Sequence, residues 1–234
     1  MKFKNNSFAF KNGIIDFNVA DPITKNVEKF YESHPFPNYK IDDNKLTVLE
    51  IGNKNSFTKS LKDFMGFNKS FIEYGSGTCQ LSNYMAIGTN NQIVAFDSTY
   101  ESLKIGKDFA KKNNIQNISF IRGDIIDQIF QDETFDIVLC SGVLHHLKNP
   151  YAGFSNIINS LKKDGYIIIG LYNAIGRIRT KIRKYIYKTF GKKIITILDP
   201  ILRKIDKNSH YKINAWIRDQ YLHPIEHIHT FDEI

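Results

Sequence analysis

The sequence is poor in the features that announce several large classes of protein. Only two of its 234 residues are cysteine, Cys79 and Cys140, with no C-x-x-C pair. That excludes a disulfide scaffold and a zinc knuckle, and predicts a reducing, cytoplasmic setting. No apolar run approaches the ~18 residues of a membrane span. The lysines of residues 1–10 are followed by no long apolar block, so neither a targeting nor a spanning segment is predicted. Fixed-period repeats and low-complexity tracts are absent too, which excludes a solenoid or a linker. At 42% hydrophobic and 24% charged residues, the chain reads as a globular protein with one sizeable core.

Negative charge is scarce in one place. Residues 177–207 hold eleven basic residues and two acids, Asp199 and Asp206. They carry the whole net charge of +8, because the rest has 21 basic against 22 acidic residues. A general nucleic-acid binder would spread its basic charge, so nucleic acid is an unfavoured partner and this stretch needs its own explanation.

The middle of the chain alternates short apolar runs with longer amphipathic segments. Strands are predicted at residues 71–74, 93–96, 118–121, 137–140 and 166–171, the spacing of βα units on a parallel sheet. Ser98-Thr-Tyr-Glu101 has the form of a capping box opening a helix through about Lys111. Asn149-Pro150 supplies an N-cap and a first-turn proline for a helix that Gly165 is placed to end. The fold class is therefore α/β: a Rossmann-like, doubly wound, mostly parallel sheet. Three regions are predicted: an N-terminal cap with lead-in helices (residues 1–68), the core (69–172), and a basic helical insert with a C-terminal segment (173–234). In the cap, Asp21-Pro22 opens a short helix toward Tyr31, and His34-Pro-Phe-Pro37 must be extended because each proline disfavours helix before it. In the insert, Ile175, Ile178, Ile182, Ile186 and Phe190 recur at helical spacing between Arg and Lys.

The first predicted strand runs into Phe71-Ile-Glu-Tyr-Gly-Ser-Gly-Thr-Cys-Gln80. Glycines at such a turn let backbone N–H groups approach a ligand closely. Twenty residues beyond Gly77, Asp97 closes the second strand, placed to accept from ribose hydroxyls. Gln80 stands where a dinucleotide fingerprint needs its third glycine, and Glu73 lies inside the strand. Both features disfavour NAD.

Taken in order, Glu73-Tyr-Gly-Ser-Gly-Thr78, Asp97, Gly123-Asp124, Phe135-Asp-Ile-Val-Leu-Cys-Ser-Gly-Val-Leu-His-His-Leu147 and Leu161-Lys-Lys-Asp-Gly-Tyr-Ile-Ile-Ile169 resemble the class I S-adenosylmethionine-dependent methyltransferases. The resemblance covers roughly residues 70–172. It implies S-adenosylmethionine as cofactor, Gly75, Ser76 and Gly77 along its methionine part, and Glu73 near its amino group. It further implies Asp97 and Ser98 at the ribose, Asp124 with Ile125 at the adenine, and Ser141 beside the cofactor. His145 and His146 follow the fourth strand, and an imidazole there could take a proton from the acceptor near neutral pH. By the resemblance His146 is favoured. Cys140, in an apolar run at a strand end, reads as a buried inert thiol.

Outside the core, Tyr31, His34, Tyr172, Asn173, Arg177, Tyr221 and His223 are candidates for the acceptor pocket, with interface packing as the alternative for each. His223, Glu226, His227 and His229 invite a metal reading, but the H-E-x-x-H order is absent and Pro224 interrupts the helix, so no metal is predicted. The basic helix is open to three readings: a solvated face, contact with an anionic membrane surface, or a dock for an acidic substrate or carrier.

Methyltransferases of this fold usually finish the sheet with an antiparallel hairpin after the fifth strand, and only residues 192–199 have later strand-like composition. The expectation is a chain ending before that hairpin, with Thr230 capping a last helix. The fifth strand would then be an exposed edge that leaves room for a homodimer. The expected activity is methyl transfer to oxygen or carbon of a small or lipid-like acceptor. The alternatives are a catalytically impaired cofactor-binding subunit, and an RNA or protein methyltransferase docking through the basic helix.

Overall fold

A computed structural model describes residues 2–4, 7–32, 35, 37, 39–205, 209–223 and 225–230, Tyr211 by its backbone alone. The chain divides into two compact units, residues 1–170 and 171–234. The predicted boundary between cap and core is therefore not a structural division.

The first unit runs β1 (Ala9–Lys11), β2 (Ile14–Asp16), α1 (Pro22–Glu32), α2 (Lys45–Lys54), α3 (Ser56–Met65), β3 (Ser70–Tyr74), α4 (Gln80–Ala86), β4 (Gln92–Asp97), α5 (Tyr100–Lys112), β5 (Ile118–Arg122), β6 (Phe135–Ser141), α6 (Pro150–Asn159) and β7 (Leu161–Gly170). The five predicted strands are β3 to β7. They form a parallel sheet in the order β5-β4-β3-β6-β7. Their central members are buried at nearly every position, as strands covered on both faces by helices must be. The chain reverses direction across the sheet between β3 and β6, where such sheets open a crevice at the carboxyl ends of the strands.

Two further strands complete a seven-stranded sheet, and they come from the N-terminus. β1 and β2 form an antiparallel hairpin, and β2 runs parallel to β5. The turn is Asn12-Gly13, with φ of 51° and 73°. Asparagine and glycine tolerate that region best, which makes this dipeptide a strong hairpin signal. Thus part of the segment read as a cap belongs to the sheet. At the other edge β7 pairs with β6 among the described residues, so the sheet reaches the seven strands that the truncation expectation denied it, with the last two supplied by the N-terminal hairpin.

Two local predictions are corrected. α5 begins at Tyr100, and Thr99 makes no side-chain cap; Asp97 Oδ1 accepts the Thr99 N–H at 2.8 Å instead, so the capping box does not form. α6 does start on Asn149, whose Oδ1 accepts from Ala152 N–H, but it ends at Asn159. Gly165 lies inside β7, near a register shift against β6, where a Cβ would stand 2.6 Å from Leu161 Cδ1.

The second unit contains α7 (Ile178–Leu198) and α8 (His210–Tyr221). The predicted single helix is broken by Gly191, at φ 75°. α7 and α8 pack through Tyr187, Ile195, Ile213, Ile217 and Tyr221. Residues 231–234 of the predicted last helix lie outside the described residues. Among the described residues no helix is long and apolar enough to cross a membrane.

One cation ties both β2 and α1 to the end of β5. Arg122, at the end of β5, pairs with Asp16 of β2 at 3.0 Å and with Glu28 of α1 at 2.6 Å, all three side chains at most 14% exposed. Burial pushes the Glu28 carboxyl up, and Arg122 opposes the rise. Removing the guanidinium strands two carboxylates in a poorly solvated site, so Arg122→Met is expected to lower the unfolding free energy by about 3 kcal/mol in a urea titration. A loss under about 1 kcal/mol would mean that the triad is screened by solvent.

Candidate active site at the carboxyl edge of the sheet

After β3 the chain turns sharply through Gly75 and Gly77, with φ of +74° and +51°. A Cβ on Gly75 would stand 2.1 Å from Val143 Cγ2, so only glycine lets the segment after β6 pack on this turn. The turn is stitched to β4: the N–H groups of Gly75 and Ser76 donate to Phe96 O at 2.8 and 3.0 Å, and the Gly77 N–H donates to Asp97 Oδ2 at 2.8 Å. Asp97 thus holds the glycine turn with one oxygen and the start of α5 with the other. Burial raises its pKa, and the N–H groups of Thr99, Gly77 and Ser98 oppose the rise.

Glu73 lies on β3 beside Ala95 of β4 and Leu139 of β6. Its carboxylate accepts from the Ser82 hydroxyl of α4. Burial pushes it up to about 7, the Ser82 hydrogen bonds holding it back. An acid with that pKa changes charge near neutrality.

Past β5, Asp124 Oδ1 accepts the Ile126 N–H at 3.1 Å. Its Oδ2 is buried without a hydrogen bond among the described residues. The Thr24 hydroxyl of α1 lies near enough to counter part of the burial-driven rise in the Asp124 pKa, yet it reaches Asp21 Oδ1 at 3.5 Å. Ile125 beside it is buried. β6 ends at Ser141, exposed at the crevice, and runs on to a 3₁₀ turn at Leu144–His146. There the His145 and His146 rings lie 4.2 Å apart, edge to face. His145 is 0% exposed and His146 8%, so His146 alone keeps a surface that a ligand could meet. Cys140 is buried, and burial pushes its thiol up to about 12, consistent with an inert role.

Described residues of the N-terminal segment contact this edge. Asp21 Oδ1 caps α1 through the Ile23 and Thr24 N–H groups. Thr24 then reaches toward Asp124, and Glu28 toward Arg122. Further on, Thr78 of the glycine turn donates to Pro37 O. Tyr39 accepts from Asn83 Nδ2 at 2.9 Å and stacks on Phe109 with centroids 4.2 Å apart. Thr24, Tyr39, Thr78, Ser82 and Val143 were not among the predicted site residues. Only the glycine turn beside Thr78 offered a sequence signal. Tyr31 sits on α1 with its ring edge-on to Phe30, and His34 lies outside the described residues.

In the second unit the polar candidates are engaged with one another. Arg177 is buried over the Tyr172 ring, 3.9 Å from its centroid, and binds Glu226 Oε1 at 2.8 Å and Gln220 Oε1 at 2.6 Å. Asn173 Oδ1 accepts from Ile175 and Gly176 N–H groups, closing a turn. The Tyr221 hydroxyl donates to the Asp199 carboxylate, which also accepts from Trp216 Nε1. His223 Nδ1 lies 2.6 Å from Ile225 O. These contacts favour the packing alternative for the four residues and His223. Among the described residues no three His, Cys, Asp or Glu side chains converge as a metal site.

The family profile of a methyltransferase domain matches residues 67–226. A ubiquinone biosynthesis O-methyltransferase of Glaesserella parasuis is 30% identical over 55% of this chain and 53% of that enzyme. An uncharacterized protein of Synechococcus is 24% identical over 68% of this chain and 39% of its own length. The chain therefore spans about half or less of these relatives. The crystal structure of the YcgJ protein of Bacillus subtilis aligns over 50% of each chain at 19% identity, with a TM-score of 0.46. With the family profile matching more than half of its length, the chain belongs to the S-adenosylmethionine-dependent methyltransferase family.

Proposed function

We propose that the chain transfers a methyl group to an oxygen or carbon of a small or lipid-like acceptor. The observation that carries this reading is the juxtaposition, at one sheet edge, of a glycine turn and the carboxylates Glu73, Asp97 and Asp124. The likeness to the ubiquinone-biosynthesis enzyme supports oxygen as the target atom and a lipid-like acceptor. Two free, buried cysteines suit a cytoplasmic setting.

The residues fit the cofactor. Gly75 and Gly77, at positive φ with Ser76 between them, shape the turn for the methionine part, and Asp97 keeps lone pairs for ribose hydroxyls beyond the two that accept from N–H groups. Ser98 stands beside it. The orphan Oδ2 of Asp124 is matched by an amino N–H of adenine, with Ile125 against the ring. Ser141 lines the same edge, and Glu73 meets the cationic amino group. When bound, S-adenosylmethionine supplies an electrophilic methyl on a sulfonium. The protein's part is alignment and exclusion of water, for which well-oriented groups lower a barrier by up to ~7 to 11 kcal/mol. α1, Pro37 and Tyr39 close over the edge to that end, and Tyr31 is the acceptor-side candidate on α1. His146 accepts the acceptor's proton, and His145 packs against its ring.

The experiment that tests the activity is formation of S-adenosylhomocysteine by the purified chain, with pools of phenolic, carboxylic and prenylated acceptors. The expected result is turnover with at least one pool, and none with any pool would contradict it. His146→Asn is expected to slow that turnover about 100-fold or more while leaving cofactor affinity within about twofold. Equal losses in affinity and turnover would instead make His146 a structural residue.

Glu73 gives a pH signature. Its pKa is raised, so below about 7 it is protonated and cannot pair with an ammonium group; ligand binding releases the proton. Cofactor affinity should therefore rise as pH increases through about 7, and Glu73→Gln should flatten that rise in calorimetric titrations at several pH values. An equally steep rise in the variant would place the titrating group elsewhere.

A further inference from the structure

α7 carries its charge and its exposed apolar groups in a pattern that neither helix packing nor the proposed chemistry uses. The side toward α8 is occupied by Tyr187 and Ile195. On the other side Ile178, Ile182 and Tyr185, at spacings of i, i+4 and i+7, are 51%, 55% and 71% exposed. A 3.6-residue turn sets Lys181 and Lys188 along one flank of that stripe and Arg179 along the other. From Arg177 to Leu198 there is no acidic residue. Among the described residues Arg179, Lys181 and Lys188 make no ion pair. A merely solvated face would not put isoleucine at its centre. Contact with RNA asks for stacking aromatics along a basic groove, and this stripe offers only Tyr185.

The geometry points to the outer face of α7 as a docking surface for an anionic lipid bilayer, with the helix lying in the plane of the interface. Ile178, Ile182 and Tyr185 enter the headgroup and upper acyl layer, while Lys181, Lys188 and Arg179 meet lipid phosphates on either side. Charge complementarity selects the occupant: Lys181, Lys188 and Arg179, which make no ion pair among the described residues, are drawn to an anionic surface, and the aliphatic stripe is satisfied by hydrocarbon rather than by phosphate alone. The inference stands apart from methyl transfer, since the surface would bind lipid whether or not an acceptor is present.

Flotation of the full chain with phosphatidylglycerol–phosphatidylcholine vesicles, against vesicles of phosphatidylcholine alone, tests it. The expected result is co-flotation with the anionic vesicles only, weakened as salt rises from ~0.1 to ~1 M. Lys181→Gln with Lys188→Gln should reduce partitioning by ~20-fold or more. Ile182→Asn with Tyr185→Ser should abolish it at unchanged circular dichroism. The charge pair alters only exposed groups, so it reads out binding even if the apolar pair misfolds. Equal flotation with both vesicle types, no flotation of the folded chain, or retention by the charge variant would each overturn the proposal. So would single-stranded RNA binding or self-association that the same variants abolish while vesicles are ignored.

Discussion

One hydrogen bond fixes the geometry on which the site depends: the Gly77 N–H donates to Asp97 Oδ2 at 2.8 Å. It joins the turn leaving β3 to the end of β4, two strands that are neighbours in the sheet but meet only because the chain crosses over through α4. Asp97 can serve as this tie because its carboxylate accepts from backbone N–H groups that offset part of the cost of burying its charge. Gly75 is then required twice, for its positive φ and for the space that Val143 fills. Loop, carboxylate and the segment carrying His146 are consequently set by one another and not by the turn alone.

The N-terminal segment supplies both the outer hairpin of the sheet and a helix, α1, that reaches the end of β5. A single guanidinium, Arg122, holds β2 and α1 at the end of β5 and also donates to Ser98 O beside Asp97. The helix is therefore anchored beside Asp97. That coupling explains why a helix with only one buried residue, Glu28, stays at the sheet edge: an ion pair fixes its orientation where apolar packing would not.

Much of the core was legible because its signals are local. A strand buried on both faces shows as a short apolar run, and the turn after it shows as Gly75 and Gly77. Asp97 and Asp124 stand where their strands stop. Asn12-Gly13 was equally local, but its strands are three residues each, too short to show alternation. The Ser98–Glu101 box misled because α5 starts one residue later than it implies, at Tyr100, with the Thr99 N–H tied to Asp97. Arg177, Tyr221 and Tyr172 could not be assigned from sequence, since a polar side chain looks the same whether it faces a ligand or an interior partner. Their partners, Glu226, Asp199 and Gln220, lie 22 to 49 residues away.

The central claim is that this sheet edge binds S-adenosylmethionine through Asp97 and the turn it holds. Calorimetric titration of the chain with S-adenosylhomocysteine, wild type beside Asp97→Ala, tests it most directly. The account predicts one saturable site in the wild type and a loss of ~100-fold or more in the variant, the effect of removing two charge-assisted bonds. A folded wild-type chain that does not bind, or a variant that binds as well as the wild type, would contradict it.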